Sequence, residues 1–157
     1  MKVNIGIQKN NLNEITNVLS QVLADQVTLY TKTRKFHWNV KGESFMELHK
    51  LFENQYSQLE EQIDTVAERI GKLGANSIGT MSEFLKLTCL KEHPGKHSTS
   101  KQMLEQLLQD HETIIINLRK AIDDCSGKYC DAGTADILTG LMTNHETIAW
   151  VLRRYNN

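Results

Sequence analysis

Proline occurs once in this chain, at Pro94, and that scarcity limits the folds open to it. Proline lacks an amide donor and clashes inside a helix, so long proline-free stretches are free to run as continuous helices. The other common helix breaker, glycine, appears only nine times in 157 residues. The apolar residues then decide between helix and strand, and they recur at steps of three and four.

Four amphipathic helices follow. The first spans about residues 13–39, with Ile15, Val18, Leu19, Val22 and Leu23 on its stripe and Asn11 and Glu14 as a start signal. Val40, Lys41 and Gly42 make a short turn. The second opens on a capping box, Ser44 with Glu47, and carries Phe45, Leu48, Phe52, Tyr56, Leu59, Ile63, Val66 and Ile70 to an end at Gly71 and Gly74. Thr80 and Glu83 form another capping box, opening a short helix that reaches about Thr88. A loop over 91–98 leads to Thr99 and Gln102, which cap a third long helix bearing Leu104, Leu107, Leu108, His111, Ile115, Leu118 and Ile122, closed by Gly127. The fourth starts between Asp131 and Thr134 and runs to about Tyr155, burying Leu138, Leu141, Met142, His145, Ile148, Ala149 and Leu152. No alternating pattern suggests a strand. The reading is all-α: a short tail over 1–12, then over 13–157 a ferritin-like four-helix bundle with a short extra helix in the crossover between helices two and three.

Charge and cysteine usage narrow the function. Eighteen basic residues against nineteen acidic give no overall pull toward nucleic acid. Residues 1–13 hold no apolar run of signal-peptide length, and no stretch approaches a membrane span. Cys89, Cys125 and Cys130 are odd in number and lack zinc-type pairing, so they read as reduced thiols of a cytoplasmic protein.

Bundles that bind two irons within one chain use Glu-x-x-His pairs, and no histidine here has a glutamate three residues before it. A different set of metal-type donors exists: His37 late in the first helix, and on the second His49 with Glu53 and Asp64 with Glu68, each pair four apart on one face. His49 and Asp64 are separated by about 22 Å of helix, so one ion cannot join them in a single chain. Their angular offset is only about 60°. Two copies of this helix, antiparallel about a two-fold axis near Tyr56 or Ser57, would bring His49 of one to Asp64 of the other and create two sites at once.

The run Lys35-Phe36-His37-Trp38-Asn39-Val40-Lys41-Gly42, then Phe45, Leu48-His49 and Asp64-Thr65-Val66-Ala67-Glu68-Arg69-Ile70, resembles the Dps family, the DNA-protection-during-starvation proteins or mini-ferritins. Leu73-Gly74, Gly79-Thr80 and the segment from Thr134 to Thr139 match as well. The resemblance implies a hollow homo-oligomer of twelve subunits with a ferroxidase site at each dimer interface. His37 and His49 match the histidines of one subunit, and Asp64 and Glu68 the carboxylates of its partner. Glu53 stands where many members have aspartate. Trp38 matches an aromatic that takes up stray oxidising equivalents. Iron would be oxidised from Fe(II), preferably by hydrogen peroxide, and stored as Fe(III) mineral. Zinc fits the same donors as a substitute but cannot change oxidation state. Asp131 and Asp136 lie in the stretch that lines acidic iron-entry pores in the family.

Blander readings stand beside these. Asp131 and Asp136 read equally as a helix cap and a first-turn charge. Trp38 reads as a core residue, His111 and His145 as satisfied core histidines, and His93 and His97 as exposed loop residues. Cys125 and Cys130 could form a redox switch, against inert thiols. The competing function is a DNA-binding structural shell. With only Lys2 and Lys9 in the tail and Arg153 and Arg154 at the other end, weak or absent DNA binding is expected.

Overall fold

A computed structural model describes residues 3–95 and 98–155. The expectations for Lys2 and His97 fall outside these residues. The described residues contain helices and no strand: α1 (Lys9–Asn39), α2 (Phe45–Lys72), α3 (Met81–Leu87), α4 (Ser100–Asp123), a π-helical turn (Asp124–Lys128) and α5 (Ala132–Tyr155). The α1–α2 hairpin packs along its length, as does the α4–α5 hairpin, and α3 lies on α1 within the crossover that joins them. The core includes Leu19, Leu23, Leu29, Phe52, Leu59, Leu107, Leu118, Leu138 and Leu152, drawn from all four long helices. Among the described residues, no helix is long and apolar enough to cross a membrane.

The local signals succeed where side chains meet the backbone as expected. Thr80 accepts from the Glu83 amide while Glu83 accepts from the Thr80 amide, and Thr99 and Gln102 do the same. Each box satisfies amides that a helix start leaves orphaned.

Several expectations are corrected. The first helix begins at Lys9, with Gln8 before it and no side-chain cap. Asn11 is already helical and donates to the Tyr129 carbonyl at 3.1 Å, so it ties α1 to the π-helical turn. Before α1, Ile7 is partly buried against the core. Ser44 precedes α2 but makes no side-chain cap, its backbone (φ -89°, ψ 22°) lying outside the extended region an N-cap uses, and the Glu47 carboxylate accepts from the Tyr155 hydroxyl at 2.5 Å. The buried stripe of α2 is Leu48, Phe52, Gln55, Leu59, Gln62, Val66 and Ile70. Gln55 and Gln62 thus hold core positions that apolar periodicity gave to Tyr56 and Ile63. Gly127 does not close α4. The helix widens through the π-helical turn and ends where Cys130 takes a left-handed φ of 55°, with the Asp131 amide bonded to the Cys125 carbonyl at 2.8 Å.

Candidate metal centre

The α1–α2 turn brings His37 and His49 together near one end of the hairpin. Their rings stack at 3.7 Å between centroids. Nδ1 of His37 meets the His49 carbonyl at 2.8 Å, and Nδ1 of His49 meets the His37 carbonyl at 2.9 Å. A carbonyl only accepts, so Nδ1 carries a proton in both rings, and in the neutral form the lone pair is on Nε2. Fixing the tautomer through the second nitrogen is how proteins orient imidazoles that ligate metals. His37 is buried and His49 half-buried, so the pair sits at the edge of the surface.

Glu53 lies one turn beyond His49. Its hydrogen bond with Lys50 at 2.6 Å, and the charge of that lysine, hold the carboxyl below its ordinary range, with smaller contributions from His37 and His49. Asp64 and Glu68 are exposed farther along α2, and Glu68 pairs with Lys72 at 3.1 Å. Among the described residues of one chain, no three metal-type donors converge. The chain brings His37 and His49 together, with Glu53 one turn along α2 and paired with Lys50, and leaves Asp64 and Glu68 apart from them.

Trp38 is not a core residue: it is 63% exposed. Sequence reasoning missed its neighbours. The Arg34 guanidinium lies 4.9 Å from the Tyr56 ring, 5.2 Å from Trp38 and 5.5 Å from Tyr30, and donates to the Tyr30 hydroxyl at 2.6 Å. Tyr56 in turn sets its edge against the His37 ring at 5.2 Å. The four-residue spacing of Tyr30, Arg34 and Trp38 was the signal available for this cluster.

The two pore candidates separate. Asp131 is buried, takes two hydrogen bonds from Arg69 at 2.8 Å each, and accepts from the Thr134 amide at 3.0 Å and hydroxyl at 2.5 Å. Burial alone would raise its carboxyl, but the Thr134 and Arg69 contacts hold it below the ordinary value. Both oxygens are taken up in capping α5 and in pairing with Arg69, as in the helix-cap reading of Asp131. Asp136 is exposed.

His111 and His145 are fully buried, as expected, though not fully satisfied, since Nε2 of His111 has no partner. The cysteines are free. Burial pushes the Cys89 thiol up to about 11, with the Asp25 carboxylate adding, and likewise pushes Cys125 up to about 11, with Asp131 and Asp124 adding. Both are held as thiols, which disfavours a redox switch. The half-buried His93 serves through its backbone, its carbonyl accepting from Lys35 at 2.9 Å.

The sequence profile of the ferritin-like domain matches residues 16–157. A low temperature-induced protein of Nostoc sp. is 46% identical over 98% of this chain and 86% of its own length. DNA protection during starvation protein 2 of Bacillus anthracis is 35% identical over 92% of this chain and 97% of its own. In structure, the Dps protein of Vibrio cholerae O1, described as a member of a broad superfamily of ferritin-like diiron-carboxylate proteins, superposes with a TM-score of 0.92 at 28% identity, covering 100% of this chain and 98% of that one. Dps of Staphylococcus aureus gives 0.88 at 32% identity over 97% and 99%. This bundle, with its extra helix in the crossover, is that of the ferritin-like class. Within that class, the chain belongs to the Dps family.

Proposed function

We propose that the protein is an iron-oxidising, iron-storing shell whose ferroxidase centre is shared between two subunits. The observation that carries this reading is the reciprocal Nδ1–carbonyl pairing of His37 and His49, which frees both Nε2 atoms, with the Glu53 carboxylate one turn along α2. In the proposed site these three donors from one subunit meet the partner subunit's Asp64 and the partner subunit's Glu68. The about 22 Å of helix between His49 and Asp64 supports a two-chain site, since an antiparallel pairing of α2 with its copy closes that gap.

The chemistry follows from the donor set. Carboxylates hold Fe(II) as hard oxygen ligands and imidazoles add borderline nitrogen donors. Two ferrous ions held together give one electron each to a hydrogen peroxide. Its O–O bond breaks, and with two protons both oxygens leave as water, so no hydroxyl radical is released. The ferric ions then hydrolyse and deposit as mineral inside the shell. Trp38, linked to His37 through Arg34 and Tyr56, is placed to take up an oxidising equivalent that escapes this route. Asp136 is the exposed candidate for an iron-entry ring, and a twelve-subunit shell in the cytoplasm completes the reading. The three free thiols fit a reducing compartment.

Weak DNA binding belongs to the same proposal. Lys9 is built into α1, and Arg153 in the last turn of α5 is paired with Glu112 at 3.1 Å. A gel shift at two salt concentrations tests this, and strong binding that persists at the higher salt would favour the DNA-shell alternative.

Anaerobic Fe(II) loading followed by hydrogen peroxide tests the ferroxidase itself, read as Fe(III) absorbance. Oxidation near two Fe(II) per peroxide is expected, slowed to the protein-free rate in His37→Ala/His49→Ala. Wild-type oxidation no faster than the protein-free control would overturn it.

A further inference from the structure

The middle of the bundle is polar where an ordinary bundle core is not. Gln26 Nε2 lies 2.7 Å from His145 Nε2, and His145 Nδ1 lies 2.8 Å from His111 Nδ1. The chain of bonds assigns the protons. The Gln26 amide nitrogen only donates, so His145 accepts at Nε2 and is protonated at Nδ1. His145 then donates to His111 Nδ1, which places the His111 proton on Nε2. That Nε2 and the Gln26 Oε1 are both buried and unpartnered.

Gln62 on α2 belongs to the same level. Phe36 packs against Phe52 across the α1–α2 hairpin. Ten residues back along α1 (36 − 26) and ten onward along antiparallel α2 (62 − 52) lead from that pair to Gln26 and Gln62. Gln62 is buried, and neither end of its amide has a partner. Each of the four long helices therefore places one neutral polar side chain at one depth of the interior.

We propose that Gln26, Gln62, His111 and His145 line an enclosed, uncharged centre in the bundle that holds ordered water. The unpaired atoms comprise both donors and acceptors, and buried groups of both kinds require a ligand that supplies both. Water does so, with two to four partners per molecule. A divalent cation does not suit the centre. Internal di-iron sites of this class use inward glutamates, and the buried carboxylates next in sequence here are committed elsewhere. Asp25 accepts from the Thr88 hydroxyl and the Cys89 amide, each at 2.8 Å, and Asp110 from Lys32 at 2.5 Å. With no charge to offset that of a metal, the desolvation cost of burying the ion stands uncompensated.

A crystal structure of the assembled wild-type protein tests this, at a resolution that shows ordered water and with data on both sides of the iron and zinc absorption edges. The expected result is an enclosed density peak about 2.7–3.1 Å from His111 Nε2 and within the same distance of a glutamine amide, without anomalous signal. An anomalous peak, or His111 Nε2 bonded directly to a side chain with no enclosed density, would overturn the proposal. In Gln62→Leu the peak should weaken or vanish, and an unchanged peak would contradict the four-helix lining.

Discussion

At the scale of single residues, protonation state decides what each histidine can do. His37 and His49 offer Nε2 at the surface because backbone carbonyls occupy Nδ1. His111 and His145 are enclosed and kept neutral by burial, His145 down to about 4 and His111 well below its ordinary value. Such lowered values give stability that is present in full above the unfolded value of 6.5, where both states are neutral. It is lost as pH falls toward the folded value, because only the unfolded state gains the proton. We predict that denaturation midpoints at fixed protein concentration fall between pH 6.5 and about 4, by an amount on the order of 3 kcal/mol for His145. In His111→Gln/His145→Gln that slope should flatten, and an unchanged slope would contradict neutral burial. Asp131 gives a second prediction. Asp131→Ala strands the Arg69 guanidinium and removes the α5 cap, so it should cost about 3 kcal/mol of stability, read by chemical denaturation. It should leave peroxide-driven iron oxidation in the folded fraction intact if the residue serves as a cap alone. The residue types and spacing of the candidate metal donors are legible in the sequence. The ring tautomers are not, since they depend on carbonyls that face the rings only after the hairpin closes.

At the scale of elements, the sequence marked the helices well and their ends unevenly. Capping boxes at Thr80 and Thr99 formed because both partners lie within the same few residues and both N-cap residues are extended. Ser44 and Glu47 carry the same pattern, yet Tyr155 from the far end of the chain takes the glutamate. A pattern search over neighbouring residues cannot contain that contact. Gln55 and Gln62 hid for a related reason, since periodicity counts apolar residues and passes over a buried amide. Gly74 is the turn residue whose identity matters most in the link after α2. Its φ is +85°, and a Cβ there would stand 2.3 Å from a Val3 methyl. Gly74→Ala should therefore destabilise by about 1–2 kcal/mol through backbone strain and displacement of Val3. A melting temperature at or above wild type would refute the close packing of the N-terminal segment on this turn.

At the scale of the whole molecule, the proposed function requires one chain to present half of a site at each of two places, completed by pairing about a two-fold axis. The fifteen-residue separation of His49 and Asp64 is what suggests that pairing in the sequence, and in the single chain Asp64 and Glu68 stand apart from the two histidines. Subunit mixing tests the claim most directly. His49→Ala and Asp64→Ala shells are each dissociated, combined in equal amounts and reassembled, and peroxide-driven Fe(II) oxidation is compared with each mutant alone. In a mixed two-fold dimer one site carries both defects and the other carries neither, so random pairing predicts recovery of about a quarter of the wild-type sites. Activity that stays at the level of the separate mutants, in shells shown to have exchanged subunits, would contradict a centre built from two chains.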